Sequence, residues 1–268
     1  MKISQQQIDD FQNDGVVMIK GLFKDWVDVI QAGIERNMRE PGPDYHEYVS
    51  DDEKGGFYGD YCNWQRIPEF VDAIENSDAG MVAAQLTKSN NIQVFHEHIL
   101  VKEPGTAMPT PWHQDSPYYF IDGEKTVSLW SPLDPVKDAT LRCVAGSHKW
   151  QKPVLPIKWL SEEGFFPGKD DYMPIPDPDT EPEKYKVLEW EMEAGDVVAF
   201  NFKILHGARG NNTAARRRAF SLRLIGDDAR YITRPGPTSP PFTGHNMKDG
   251  ERLREDWFPV IYSKNNNP

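Results

Sequence analysis

Two histidines and an aspartate, His113, Asp115 and His206, with Arg217 following eleven residues after the last of them, have the types and order for redox chemistry. They lie in Pro111-Trp-His-Gln-Asp-Ser-Pro117 and in His206-Gly-Ala-Arg-Gly-Asn-Asn-Thr-Ala-Ala-Arg-Arg217. Two imidazoles and one carboxylate can occupy one face of a six-coordinate ferrous ion and leave the opposite positions for a co-substrate and O2. A guanidinium adds a planar fork that grips a carboxylate through two parallel hydrogen bonds. These are the parts an iron- and 2-oxoglutarate-dependent oxygenase requires. Each part alone has a plainer explanation. A His-x-Asp triplet arises by chance, a histidine between Leu205 and Gly207 suits a hydrogen-bonded turn, and three consecutive arginines suit a solvated strand end. Their joint order is what carries weight.

Such side chains must be delivered by extended segments. His113 and Asp115 are two apart, so on a strand they point to one side. Residues 193–202 read as a turn feeding an apolar strand that brings His206 to its far end. Arg217 opens a strand whose one face carries Arg217, Ala219, Ser221 and Arg223, and whose other carries Arg218, Phe220, Leu222 and Leu224. This parity also disfavours Arg216 and Arg218 as rivals of Arg217. Further alternation places Val94, His96, His98 and Leu100 together, and Thr126, Ser128 and Trp130 together. A short strand at 141–144 leads into the turn Ala145-Gly-Ser-His148.

Ahead of these strands, the pattern predicts a helix between the N-cap Ser4 and the stop Gly15, a strand at 16–20, and helices over 24–39 and from Pro68 to about Gln85. Residues 41–66 read as loop. The expected fold is mainly β with flanking helices, in one domain: a helical part over about 1–90 and a strand core over about 91–230. Residues 151–186, with Pro153, Pro156, Pro167, Pro174, Pro176, Pro178 and Pro182, are an insertion that is either a lid or a plain surface excursion. The tail 265–268 is expected to fray.

The 268 residues carry Asp+Glu 42 against Lys+Arg 30, a formal net charge of −12, which disfavours nucleic acid as a partner. Cys62 and Cys143 have no paired spacing, so neither a disulfide framework nor a zinc site is expected. The polar N-terminus shows no signal core and no run is long enough to span a bilayer, so a cytoplasmic protein away from the membrane is expected. Nothing here speaks to oligomeric state.

The motifs together resemble the phytanoyl-CoA dioxygenase family, which includes ectoine hydroxylase-like enzymes. The stretches that carry the likeness are 98–105, 112–115, 127–130, 144–148, 195–197 and 206–217. The resemblance implies a double-stranded β-helix, a cupin-like jelly-roll. It implies Fe(II) held by His113, Asp115 and His206, 2-oxoglutarate held by Arg217 beside Trp130, His98 and Gln114, and O2 as the oxidant. A C–H bond of a small organic molecule would be hydroxylated, with release of succinate and CO2. With Asp115 as a carboxylate ligand there is no vacancy for chloride, which favours hydroxylation over halogenation. The chain departs from the family at Asp138-Ala-Thr-Leu141, where Asn-Gly-Pro is usual, at Ala145 for Pro, and at Ala208 for Ser.

The substrate is less legible. Arg223 and Arg142, with Arg66, suggest an anion such as a carboxylate, phosphonate or acyl-CoA; for Arg142 and Arg66 pairing with the many surface carboxylates is the plainer reading. Tyr118, with Trp112, Tyr119 and Trp64, lines an opening or belongs to the core. His96 reads as a satisfied wall histidine. A zinc-dependent hydrolase, which leaves Arg217 unexplained, and a metal-binding jelly-roll without oxygenase activity are the alternatives.

Overall fold

The computed structural model describes residues 1–48, 56–137, 140–159, 163–168 and 170–265. Asp138 and all of the expected frayed tail except Asn265 lie outside the described residues.

Four helices come first in the chain: α1 (Gln5–Asp14), α2 (Val27–Arg39), α3 (Pro68–Asn76) and α4 (Ala79–Thr87). Three strands are threaded among them, β1 (Val16–Ile19), β2 (His46–Glu47) and β3 (Phe57–Tyr61). The rest are β4 (Asn91–Lys102), β5 (Thr110–His113), β6 (Ile121–Asp122), β7 (Thr126–Pro132), β8 (Leu141–Val144) and β9 (Val187–Leu188). They continue with β10 (Val197–Phe200), β11 (His206–Ala208), β12 (Arg217–Ile225), β13 (Arg230–Tyr231) and β14 (Val260–Ser263). All pairings among these strands are antiparallel. A large sheet runs β1-β10-β7-β12-β4-β3-β2, with β14 also on β4, and a smaller one runs β5-β11-β8-β9.

The large sheet separates two cores. Its outer face gives Phe220, Leu222, Leu224, Ile99 and Leu129 to the cluster that buries the helices. Phe220 packs edge-to-face with Phe23 and at a tilt on Phe70 there, with centroids at 6.0 and 5.4 Å. Its inner face turns Trp130, Val198, Phe200 and Leu100 toward Leu141 and Cys143 of the smaller sheet. Two sheets closed on a shared interior make the jelly-roll expected from the sequence. No helix among the described residues is long and apolar enough to cross a membrane.

Local signals explain most boundaries. In α1 the Ser4 hydroxyl accepts from the Gln7 N–H at 3.2 Å, and the Gln7 side chain accepts from the Ser4 N–H at 2.9 Å. Gly15 ends α1 with φ 75, a conformation glycine adopts without penalty. The single helix expected over 68–85 is two, because Ser77 and Asp78 break it and the Ser77 hydroxyl accepts from the Ala79 N–H at 3.3 Å. The expected loop at 41–66 contains β3, disguised by Gly59. A Cβ there would sit 2.7 Å from the Tyr48 ring, so close approach, not flexibility, selects the glycine.

In β4 the alternation slips. Arg223 pairs with His96 but Leu224 pairs with Val94, which leaves Phe95 bulged. Val94 therefore joins the outer core, while His96, His98 and Leu100 stay inside.

Glu97, between them, is fully buried on the outer side and accepts from the Asn63 N–H at 2.7 Å. Burial pushes its carboxyl up to about 8 from 4.5. The folded state thus holds a proton that the unfolded chain releases, so stability is full below about pH 4.5 and is lost as pH rises through about 8. Glu97→Gln should remove this loss. Its melting-temperature advantage over the native chain should widen from pH 5.5 to 8.5; a constant gap would refute the assignment.

Candidate iron and co-substrate site

The two histidines meet because β5 and β11 are neighbours and their register sets His206 opposite His113. Their ring centroids are 4.2 Å apart. Asp115 follows β5 at the start of a short turn, and its Oδ1 lies 3.8 Å from His113 Nε2 and 3.9 Å from His206 Nε2. All three side chains are buried, and one donor atom from each falls within 4.8 Å of the others.

Backbone carbonyls decide which ring nitrogen faces inward. His113 Nδ1 donates to Pro111 O at 2.8 Å and His206 Nδ1 donates to Ile204 O at 3.0 Å. A carbonyl can only accept, so each Nδ1 carries the proton and each Nε2 keeps its lone pair for a metal. Burial lowers His113 to about 3, helped by His206, and lowers His206 as well. Both rings are therefore neutral near pH 7, as metal ligands must be. Burial opposes the Asp115 charge, but Arg223 and then the two histidines outweigh it and hold the carboxyl below the usual range. Two neutral imidazoles and an ionised carboxylate on one side of a cavity fit Fe(II).

The other oxygen of Asp115 is tied back. Oδ2 accepts from the Ser128 hydroxyl at 3.1 Å and lies 3.6 Å from Arg223 Nη2. Ser128 and Arg223 are cross-strand partners on β7 and β12. Arg223 is itself fixed, donating to Tyr119 Oη at 3.1 Å and to Ser221 O at 3.0 Å.

These residues open onto a cavity of about 510 Å³. Arg217 lines it, 3% exposed, with its guanidinium 5.7 Å from the Trp130 ring centroid. Burial lowers Arg217 to about 10, which leaves it charged at neutral pH. Arg216 turns outward to Glu103 and Glu35, and Arg218 to Asp134 and Glu35. His98 lies on the same wall, opposite Ser221 in the strand register. Tyr118 also lines the cavity, while its hydroxyl donates to Ile157 O at 2.7 Å and accepts from the Ile157 N–H at 2.8 Å.

Three residues nominated from sequence go elsewhere. Gln114 has the opposite parity to its neighbours; its amide donates to Lys203 O at 2.6 Å and accepts from the Val154 N–H at 2.8 Å. It latches backbone segments together and is not among the lining residues. Arg142 donates to both Asp179 carboxylate oxygens, one at 3.0 Å, and stands over Trp112, so it anchors the proline-rich segment. Arg66 is likewise spent on Asn63 and on Glu40 O, at 2.7 and 2.6 Å.

Sequence reading missed Ser128 and Tyr119 as supports for the carboxylate, although the parity that grouped Ser128 with Trp130 was the available signal. It also missed Trp159, whose ring lies 4.9 Å from that of His113 and comes from the proline-rich segment. Nothing in that segment's composition marks it.

A family model described as phytanoyl-CoA dioxygenase (PhyH) matches residues 11–219. The chain belongs to that family. Its members are iron- and 2-oxoglutarate-dependent oxygenases. A probable phytanoyl-CoA dioxygenase of Caenorhabditis elegans is 29% identical over 67% of the chain and 54% of its own length. The peroxisomal phytanoyl-CoA dioxygenase of Rattus norvegicus is 27% identical over 87% of the chain and 72% of its own length. The chain thus spans little more than half of the nematode relative it matches.

Solved structures share the fold. The alpha ketoglutarate dependent carbocyclase SnoK from nogalamycin biosynthesis superposes with TM-score 0.73 at 21% identity, covering 97% of this chain and 96% of its own. The epimerase SnoN with Fe3+, alpha ketoglutarate and nogalamycin RO gives 0.71 at 18%, covering 96% and 98%. EctD from S. alaskensis with 2-oxoglutarate and 5-hydroxyectoine gives 0.66 at 18%, covering 94% and 86%.

Proposed function

We propose that this family member hydroxylates a C–H bond of a small organic molecule, with His113, Asp115 and His206 holding Fe(II) and Arg217 holding the distal carboxylate of 2-oxoglutarate. When bound, the iron supplies O2 activation coupled to oxidative decarboxylation of 2-oxoglutarate, which places one oxygen atom in the substrate and one in succinate as CO2 leaves. The chain's own contribution is orientation and an enclosed, preorganised site. His113 and His206 keep lone pairs aimed at one point, Ser128 and Arg223 hold Asp115 so that Oδ1 faces that point, and Arg217 on Trp130 sets the direction of the co-substrate. His98 stands beside it.

One observation supports this above others: the metal-type donors and a buried guanidinium share one cavity. A zinc hydrolase or a silent binder gives that guanidinium no task. The anionic substrate expected from Arg223 and Arg142 loses its support, since Arg223 serves Asp115 and Arg142 serves Asp179.

Anaerobically purified protein loaded with Fe(II) and supplied with 2-oxoglutarate should form succinate once O2 is admitted, faster with one compound of a panel of acyl-CoAs, betaines, amino acids, phosphonates and neutral ring compounds. Failure to bind 2-oxoglutarate in the presence of metal would overturn the reading.

A further inference from the structure

Apart from the metal residues and Arg217, the cavity wall is built largely of rings. Trp159 lies 5.4 Å from Tyr48, Tyr118 lies 5.0 Å from Phe165, and Tyr61 lies 5.3 Å from His98. All six line the cavity. Aromatic faces of this kind favour flat apolar bodies by stacked and edge contacts.

Charge in the wall is largely committed or lies at the rim, where the exposed Glu47 is, among the described residues, the lining carboxylate besides Asp115. The cations among the described lining residues are Arg217, Arg223 and Lys158. Arg217 is assigned to the co-substrate. Arg223 is held by Asp115, Tyr119 and Ser221 O. Lys158 sits at the exposed edge, 3.2 Å from Glu163.

Besides His98, placed beside the co-substrate, and the Ser221 hydroxyl, His96 brings an unpartnered polar atom to the wall. It is 2% exposed, lines the cavity, and its Nδ1 donates to Glu97 O at 3.1 Å. By the same reasoning as for the metal histidines, its Nε2 is a bare lone pair. That atom has no hydrogen-bond partner among the described residues, and burial lowers the ring to about 3, so it is neutral. An unsatisfied buried acceptor is costly, and a donor on a ligand would relieve it. A carboxylate or phosphate brings only acceptors. A cation would approach Arg223, the cross-strand partner of His96.

We propose that the substrate is an uncharged molecule with a flat, ring-bearing body, packed among Trp159, Tyr48 and Tyr118, and a hydroxyl that donates to His96 Nε2. This deepens the oxygenase reading and rests on it.

Equilibrium dialysis of the Zn(II)- and 2-oxoglutarate-loaded protein tests the idea, zinc being redox-inert. The probes share one ring system: 2-naphthol, its methyl ether, 2-naphthoate and 2-naphthylmethylammonium. The naphthol should bind about tenfold tighter than each of the others, the equivalent of one satisfied acceptor. His96→Leu should reduce the naphthol to the level of its ether and leave the ether unchanged. Equal or tighter binding of naphthoate, of the ammonium probe or of the ether overturns the proposal, and so does no retention of any probe. Should His96→Leu fail to fold, the wild-type ranking decides. Retention of 2-oxoglutarate is measured in the same samples. Its loss from wild-type protein would sink the oxygenase reading, whereas its retention with the wrong probe order would sink only the substrate class.

Discussion

Replacing Arg217 by Leu is expected to raise the dissociation constant for 2-oxoglutarate by about 10²- to 10⁴-fold while metal binding stays near wild type. The co-substrate's distal carboxylate would enter a buried site without its fork, and a buried charge that loses its partner costs about 3–5 kcal/mol. Arg217→Lys keeps a point charge without the two parallel donors and should fall between the two. Arg216→Leu and Arg218→Leu are the controls, because their guanidiniums face Glu103 and Asp134 outside the cavity. Calorimetric titration of 2-oxoglutarate into zinc-loaded protein separates the cases. A leucine variant within about threefold of wild type, less than 1 kcal/mol, would remove Arg217 from the site.

That prediction was reachable from sequence because β12 alternates without interruption. Arg217, Ser221 and Arg223 line the cavity, whereas Phe220, Leu222 and Leu224 pack on the helices. On β4 the same logic failed at one place, where the Phe95 bulge moves Val94 to the other face. A bulge depends on the partner strand and leaves no trace in a single chain's periodicity. Pairing across the sheet was equally invisible. Ser128 supports Asp115 because β7 lies beside β12, and Arg142 is neutralised by an aspartate from the proline-rich segment. Residue type nominated arginines as substrate clamps, but only the fold shows which partner each already serves. The candidate ligands were legible because their joint order is specific; their supports were not, because serine and tyrosine are common.

Asp115→Ala should then fail in two separable ways. It removes one of the three proposed metal donors, and at least 10²-fold of metal affinity is expected to go, since even outer supports of a ligand are worth about 10- to 100-fold. It also leaves Arg223 buried without its carboxylate, at a cost of about 3–5 kcal/mol to the metal-free fold. Adding Arg223→Leu removes the stranded charge, so the double variant should recover most of the stability and none of the metal. Metal titration and denaturant unfolding of the wild type, both single variants and the double variant make the cycle. If the double variant is no more stable than Asp115→Ala, the ion pair at 3.6 Å is not what holds this corner of the fold. Formate supplies the missing carboxylate without its tether. It should restore part of the metal affinity of Asp115→Ala, but not when Ser128→Ala or Arg223→Leu is also present, because those two side chains are what would orient its second oxygen. Rescue that ignores them would mean that Asp115 is placed by its backbone alone.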